Sequence, residues 1–158
     1  MNIRFSNYLD SLTPAKKLIA MEAVKEYIEG DKNDVRQIKD AHDVYTLCRD
    51  MALETEEHAV ALLLNRRNKL VKRIEVGVGD SASTIFDCNR ILKEMILTNT
   101  NCVVMVHNHP SGSIKPSKDD DNLTNYFNKA CQTLRFHLVD HVIIANGDFY
   151  SYRDNGRL

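Results

Sequence analysis

The sequence predicts an α/β domain in which a mixed β-sheet is flanked by helices. Segments with strand-like and helix-like spacing of apolar residues alternate along the 158-residue chain. Two pairs of strand-like segments are separated by short polar turns, which predicts a hairpin at both ends of the domain. The composition agrees with this class, since 43% hydrophobic and 27% charged residues are ordinary for one globular core.

The first 40 residues predict a helical extension, and residues 41–158 predict the main domain. Thr13-Pro14 is typical of a helix start, because proline fits the first helical position. Apolar residues follow at helical spacing until Gly30, which predicts the end of that helix. The polar stretch from Asp31 to Asn33 is the best candidate for a linker.

The middle of the chain predicts a helix followed by a β-hairpin. Asp40 and Asp43 predict a helix start, and apolar residues continue to Met51. The run from Ala59 to Leu64 is too short for a lone helix and predicts a central strand. The segment from Leu70 to Val78 predicts its antiparallel partner, with glycines that mark the strand's end or a bulge.

The second half alternates helix and strand patterns. The predicted elements, in chain order, are a helix capped by Ser83 that includes Ile85, Phe86 and Ile91 to Leu97, a strand at Cys102–Val106, a helix from Ser117 to about Leu134 whose apolar side includes Leu123, Phe127, Ala130 and Leu134, a strand at His137–Ile144, and a strand at Phe149–Tyr152 returning from the Asn146-Gly147-Asp148 turn.

Charge and composition exclude several classes of protein. The net charge of -1 argues against a protein whose main task is to grip a nucleic-acid backbone. The densest cationic stretch, Asn65 to Lys69, is predicted to be a solvated hairpin turn. The four cysteines are scattered without a Cys-x-x-Cys pair, so they predict reduced core residues. The chain has no long apolar run and no apolar leader, which predicts a cytoplasmic protein without membrane contact.

The stretch from His107 to Asp120 predicts a metal site. His107 and His109 close the apolar strand and point to the same face, so both imidazoles aim at one point. Pro110 starts a loop that leads to Ser117, a helix-start residue that can bring Asp120 back towards the two rings. Two nitrogens and one carboxylate oxygen leave a fourth tetrahedral position open, as in a catalytic zinc site.

Each half of this pattern also has a structural explanation. A Ser-x-x-Asp sequence before a helix is more often a capping box than part of an active site. A His-x-His pair on a strand is more often two hydrogen-bonded rings than a pair of ligands. The combination favours a metal site, and capping is compatible with ligation because Asp120 keeps one carboxylate oxygen free while Ser117 caps.

A hydrolytic metal site also needs a base. Glu57, which immediately precedes the apolar run, is the best placed of three nearby glutamates, whereas Glu56 would point to the other face if the strand already begins there. From the residues alone, a solvated strand start is the more common explanation for this pair. Other hydrolytic signatures are missing: the chain has no His-Glu-x-x-His, and it lacks the His-x-Glu and Pro-Cys-x-x-Cys of the deaminases.

At these residues the chain resembles a known family. Glu57, His107-x-His109-Pro110, Ser117 and Asp120 resemble the JAMM/MPN metalloprotease signature of isopeptidases that remove ubiquitin-like modifiers. The narrower resemblance is to the bacterial RadC-like JAB branch, which carries a DNA-repair name, over roughly residues 45 to 158. It rests on His107 to Gly112, Pro116-Ser117, Asp140-His141, Tyr150 to Tyr152 and Gly156. The helix-hairpin-helix region of full-length RadC proteins is not recognised in the first 40 residues.

The resemblance implies the JAB/MPN fold, which is similar to that of cytidine deaminases, and a hydrolase of peptide or isopeptide bonds. His107, His109 and Asp120 would hold one Zn²⁺ per chain, although manganese or iron fits these donors almost as well. Glu57 would activate water and protonate the leaving amine, and Ser117 would hydrogen-bond the oxyanion. The implied partner is a protein or peptide substrate. His141 is predicted to be a buried, hydrogen-bonded residue and not a ligand.

One departure from the family and two alternative functions accompany this prediction. RadC-like chains carry Pro-Arg-Glu before the histidine strand, where this chain has Ile85 to Arg90, so its specificity is expected to differ. The first alternative is a nucleic-acid-associated accessory protein, for which the near-zero net charge gives thin support. The second alternative is a non-catalytic MPN interaction module, which the complete ligand set argues against.

Overall fold

The computed structural model describes residues 13–21, 37–79 and 86–158. The chain divides into two compact units, Met1–Asp34 and Val35–Leu158. In the first unit residues 14–21 are helical, as predicted from Thr13-Pro14. The predicted helix end at Gly30 and the linker at residues 31–33 lie outside the described residues. The predicted domain boundary at residue 40 stays a prediction.

The described part of the second unit is an α/β domain with a five-stranded mixed sheet, as predicted. Its elements are α1 (Ala41–Cys48), a 3-10 helix (Arg49–Leu53), β1 (Glu57–Leu64), β2 (Leu70–Gly79), α2 (Cys88–Leu97), β3 (Cys102–Asn108), α3 (Lys118–Thr133), β4 (His137–Ala145) and β5 (Asp148–Ser151). The strand order is β2-β1-β3-β4-β5. Only the pair β3 and β4 is parallel among these strands, and the two hairpins form the two edges.

Helices cover both faces of the sheet, which explains the continuous apolar run of β1. On one face, alternate residues of β1 and β3 such as Ala61 and Met105 pack with α2 and α3. On the other face, Leu62 and Val104 pack with α1 and the 3-10 helix. His107 lies two residues beyond Met105, so its ring lies on the face that α2 and α3 cover.

The turns at the two hairpins agree with the sequence predictions. Asn146 and Gly147 adopt left-handed backbone angles, φ 52° and 77°, as a two-residue hairpin turn requires. In the hairpin of β1 and β2 the pairing shifts between Ala59 and Val60, which leaves Val76, next to Gly77, without a partner on β1. None of the described helices is long and apolar enough to cross a membrane.

Two helix predictions need correction. Phe86 lies before α2 and not inside it, because the Asp87 side chain accepts the amide of Arg90 at 2.9 Å and caps the helix there. The predicted cap at Ser83 lies outside the described residues, as does Ile85. Leu134 is the C-cap of α3 and is 50% exposed, so it does not belong to the buried side of that helix.

Candidate metal centre

The predicted ligands lie at the end of the sheet where the central strands β3 and β4 finish. These two strands run parallel and are joined by α3, which begins at the same end of the sheet. Ala59 near the start of β1 pairs with His107 at the end of β3. The carboxyl ends of parallel strands are the usual place for a ligand in an α/β sheet.

The structure brings His107, His109 and Asp120 together. One ligand atom of each lies within 4.8 Å of the others. His107 Nε2 lies 3.0 Å from Asp120 Oδ1 and 3.0 Å from His109 Nε2, and His109 Nε2 lies 3.5 Å from Asp120 Oδ2. The side chains of His107 and Asp120 are fully buried, whereas 10% of His109 is exposed. The group is therefore reachable from the side of His109.

Asp120 caps its helix and faces the histidines at the same time. Its Oδ2 accepts the Ser117 amide at 2.7 Å, and the Ser117 hydroxyl accepts the Asp120 amide at 3.1 Å. This is the capping box, and it leaves Oδ1 buried with no hydrogen bond from any described residue. Burial raises the pKa of Asp120, but His107 and His109 when protonated, together with the bond from Ser117, outweigh it and hold the pKa well below its usual range. Capping and ligation are thus compatible, as predicted.

A chain of buried hydrogen bonds determines which nitrogen of His107 faces Asp120. Thr124 donates its single hydroxyl proton to the Asp120 carbonyl at 2.6 Å, so it must accept from His141 Nδ1, also at 2.6 Å. Burial holds the pKa of His141 well below its usual value, so its ring is neutral and Nε2 is an acceptor. His107 Nδ1 then donates to His141 Nε2 at 2.9 Å. The lone pair of His107 Nε2 therefore points at Asp120.

His109 is oriented in the same way. Its Nδ1 lies 2.7 Å from the Ser113 carbonyl, which only accepts, so Nδ1 carries the proton and Nε2 presents a lone pair. Burial lowers the pKa of His109, but Asp120, the Ser113 carbonyl and the charge of Glu57 raise it above its usual value. With neutral rings, three acceptor atoms from His107, His109 and Asp120 converge without a proton between them. Such a donor set fits a divalent cation.

Aromatic rings hold the hydrogen-bond chain in place. The ring of Phe86 meets His107 and His141 edge-on, with centroids 5.8 Å and 5.5 Å away. Tyr152 stacks on His141 at 5.0 Å and 9°, and its hydroxyl donates to Asp121 at 2.8 Å. The C-terminal segment thus packs directly behind the metal-facing histidines.

The two predicted catalytic residues lie at the same end of the sheet as the predicted ligands. Glu57 is the first residue of β1, and it shares a face with Ala59, the partner of His107. Its charge contributes to the raised pKa of His109. Ser117 is exposed, and its hydroxyl accepts the Asp120 amide while its own proton stays free to donate to a ligand. Their roles stay predictions.

An open groove of about 500 Å³ lies beside the group. Phe86 lines it and contacts His107, so the groove and the ligand set share a wall. Its lining includes Asp87, Asn89, Asp119, Asn122 and Tyr126. The region that departs from the family pattern, Ile85 to Arg90, therefore contributes to this groove through its described residues.

Sequence reasoning missed the residues behind the site. The role of Thr124 was not predicted, although it lies one helical turn after Asp120 on the same side of α3. Tyr152 was predicted as the end of the last strand and as part of a family motif, without a role behind the site. His141 was predicted to be buried and hydrogen-bonded, and the structure confirms this.

Fold and site together define an α/β domain with a histidine–aspartate group of metal-binding geometry at the end of its parallel strands. Residues 38–157 match the family described as RadC-like JAB domain. The match covers most of the chain, and the chain belongs to that family. The resemblance inferred from the sequence motifs is confirmed.

Similar proteins agree with this assignment. The chain is 32% identical to a UPF0758 protein of Chlorobium phaeovibrioides, over 100% of this chain and 72% of the relative. It is 33% identical to a UPF0758 protein of Chlorobaculum parvum, over 91% of this chain and 65% of the relative. A UPF0758 protein of Streptococcus gordonii is 34% identical over 67% of this chain and 47% of its own length. The chain thus spans only part of the length of these relatives.

Proposed function

We propose that this protein is a zinc-dependent hydrolase of the JAMM type that cleaves a peptide or isopeptide bond. The observation that carries the proposal is the convergence of His107 Nε2, His109 Nε2 and the unpartnered Asp120 Oδ1 in a buried position. These residues would hold one Zn²⁺ per chain. When bound, the metal would supply Lewis acidity at the scissile carbonyl and lower the pKa of a water molecule.

Glu57 is the proposed general base. It accepts a proton from the attacking water and passes it to the leaving amine, which is the role of a carboxylate beside a hydrolytic metal. Asn108 holds the start of β1 in register, since its side chain accepts the His58 amide at 2.6 Å and donates to the Glu56 carbonyl at 3.0 Å. These two bonds fix the backbone on either side of Glu57.

Ser117 is the proposed oxyanion donor. The capping box fixes its position on the first turn of α3, and its free hydroxyl proton can reach a ligand beside Asp120. A donor that strengthens its bond only as negative charge develops stabilises the transition state, by about 2.7–4 kcal/mol for comparable donors.

The groove beside the metal centre is the proposed substrate site. Its two carboxylates, Asp87 and Asp119, favour a cationic residue next to the scissile bond, and Tyr126 offers an exposed ring for an apolar one. This lining supports a polypeptide substrate better than a small anionic one.

The proposal is tested by metal-dependent cleavage. The full chain is loaded with one equivalent of zinc and incubated with a library of fluorogenic peptides and with lysine isopeptide conjugates. Cleavage that chelation abolishes and zinc restores is expected, and Glu57→Gln should lose it. Tight zinc binding without cleavage of any amide would favour the alternative of a non-catalytic interaction module.

A further inference from the structure

The opposite end of the sheet from the metal centre carries a second groove. Three turns build it: the β1–β2 hairpin, the turn from α2 to β3 and the turn from α3 to β4. One part has a volume of about 630 Å³ and is lined by Asn65, Arg66, Arg67, Lys69, Asn99 and Asn101. An adjoining part of about 340 Å³ shares Arg66 and Asn101 with the first and adds Cys102, Arg135 and His137. We call the two parts together the cationic groove.

The cationic groove has a surplus of positive charge. Among the described residues that line it, four are arginine or lysine and none is acidic. None of Arg66, Arg67, Lys69 and Arg135 forms an ion pair with another described residue. The C-terminal ends of α2 and α3 contribute about half a negative charge each, which offsets only part of this charge.

The hairpin turn in the groove is rigid. The Asn65 carboxamide oxygen accepts the amides of Arg67 and Lys69 at 2.8 and 3.1 Å. Gln37 holds the turn from outside, because its side chain donates to the Arg67 carbonyl at 3.0 Å. The backbone positions of the cationic residues are thus set before any ligand binds, which lowers the entropy cost of binding.

Arg135 occupies a position that normally belongs to glycine. α3 ends in a Schellman motif, in which the Phe136 amide donates to the Cys131 carbonyl at 2.8 Å and the Arg135 amide donates to the Gln132 carbonyl at 3.1 Å. This gives Arg135 a φ of 59°, a left-handed conformation that is unfavourable for a residue with a side chain. Arg135 lines the groove from this left-handed position.

We propose that the cationic groove binds the phosphate backbone of a nucleic-acid duplex. Cationic side chains from three turns form a continuous open strip, which suits an extended ligand with repeated charges better than a small molecule that needs enclosure. Arginine, lysine and asparagine side chains are common phosphate contacts. The described part of the lining has no Phe, Tyr or Trp on which unpaired bases would stack, so a duplex is favoured over a single strand.

This site is separate from the metal centre. β1 starts near the His-His-Asp group and ends at the groove, and its eight residues span roughly 23 Å. A duplex in the groove therefore leaves the metal centre open. The inference does not depend on the proposed hydrolase activity, because neither Glu57 nor any proposed metal ligand lines the groove.

The test measures the affinity of the full chain for a fluorescent 20-base-pair duplex between 50 and 200 mM salt. Binding that weakens steeply with salt is expected, with a slope of about -0.9 for each phosphate contacted. Arg135→Gly should weaken binding at 50 mM salt at least fivefold and make the slope shallower by about one. Glycine also relieves the backbone strain at this position, so a loss of folding cannot explain the weaker binding.

Controls separate this site from general charge effects. Arg90→Gln removes the same charge from an exposed position outside the groove, and it should leave the affinity unchanged. Chelator treatment should leave it unchanged as well. No duplex binding at 50 mM salt, equal weakening by Arg90→Gln and Arg135→Gly, or tighter binding to a single strand, an acidic peptide or anionic vesicles than to the duplex would each overturn the proposal.

Discussion

His141 Nε2 lies 2.9 Å from His107 Nδ1, and this contact determines which nitrogen of His107 faces Asp120. The chain of bonds continues through Thr124 to the backbone of Asp120, so both ends of it lie on proposed metal ligands. Loss of a group that orients a ligating histidine typically lowers metal affinity about 10–100-fold. His141 and Thr124 are therefore positioning residues in this account.

Thr124→Val should weaken zinc binding without removing a ligand. Valine keeps the shape but leaves His141 Nδ1 without an acceptor, and the expected loss in affinity is about 10–100-fold. Competition with a chromophoric chelator measures it. Thr133→Val is the matched control, because Thr133 also donates to the carbonyl four residues earlier, at 2.9 Å, but on the exposed end of the helix. Equal zinc affinity of Thr124→Val and the wild type would remove the positioning role.

Asp120→Asn should lose most of the bound zinc, because a neutral amide replaces the only charged ligand of the proposed set. Asparagine still offers an oxygen to the Ser117 amide, so the helix cap should survive and circular dichroism should be unchanged. Asp119→Asn is the control, since it changes the same charge on an exposed neighbour. Stoichiometric zinc retained by Asp120→Asn after dialysis is the result that contradicts the ligand assignment.

Glu57→Gln should keep the metal and lose turnover. The amide has nearly the shape of the carboxylate but cannot accept a proton, so the effect falls on catalysis and not on zinc content. Glu56→Gln, one residue before β1 begins, should retain activity. Zinc content and cleavage are measured on the same preparations. If Glu57→Gln turned over as fast as the wild type, the base would have to be another residue.

The metal-free protein should be most stable near pH 6.5. The pKa of His141 is lowered in the folded state. Its contribution to the free energy of unfolding is therefore complete above the unfolded-state pKa of about 6.5 and is lost as the pH falls. The pKa of His109 is raised in the folded state. Its contribution to the free energy of unfolding is therefore complete below about pH 6.5 and is lost as the pH rises through the folded-state pKa. Denaturant unfolding of chelator-treated protein from pH 5.5 to 8.5 measures both limbs.

His109→Gln should remove the alkaline limb of that profile, since glutamine has no proton to lose. Zinc-loaded protein should lack the alkaline limb too, because zinc affinity rises as the ligands lose their protons. A metal-free stability that stayed constant or increased between pH 6.5 and 8.5 would contradict the raised pKa of His109.

The sequence predicted those parts of the site that local geometry determines. Two residues apart on a strand share a face, and a Ser-x-x-Asp sequence starts a helix, so His107, His109 and Asp120 could be assigned before the fold was known. The start of α2 was misplaced because both Ser83 and Asp87 are good caps, and only the Asp87–Arg90 hydrogen bond distinguishes them.

The residues behind the site could not be predicted in the same way. His141 reaches His107 because β3 and β4 pair in parallel with Met105 opposite His141. That register depends on how α3, a helix of 16 residues that connects the two strands in sequence, packs on the sheet. No local sequence pattern specifies this packing. The cationic groove has the same origin, since its three turns are far apart in sequence and only the strand order β2-β1-β3-β4 brings them together.

The most direct test of the central claim is the metal content of the protein by elemental analysis. Wild type and His109→Ala are purified without chelators and without an affinity tag, and both are measured again after zinc is added and excess is removed. Near one zinc per chain in the wild type and little in His109→Ala is the predicted result. No bound metal in the wild type, even after zinc is added, would contradict the account and leave Ser117 and Asp120 as a helix cap alone.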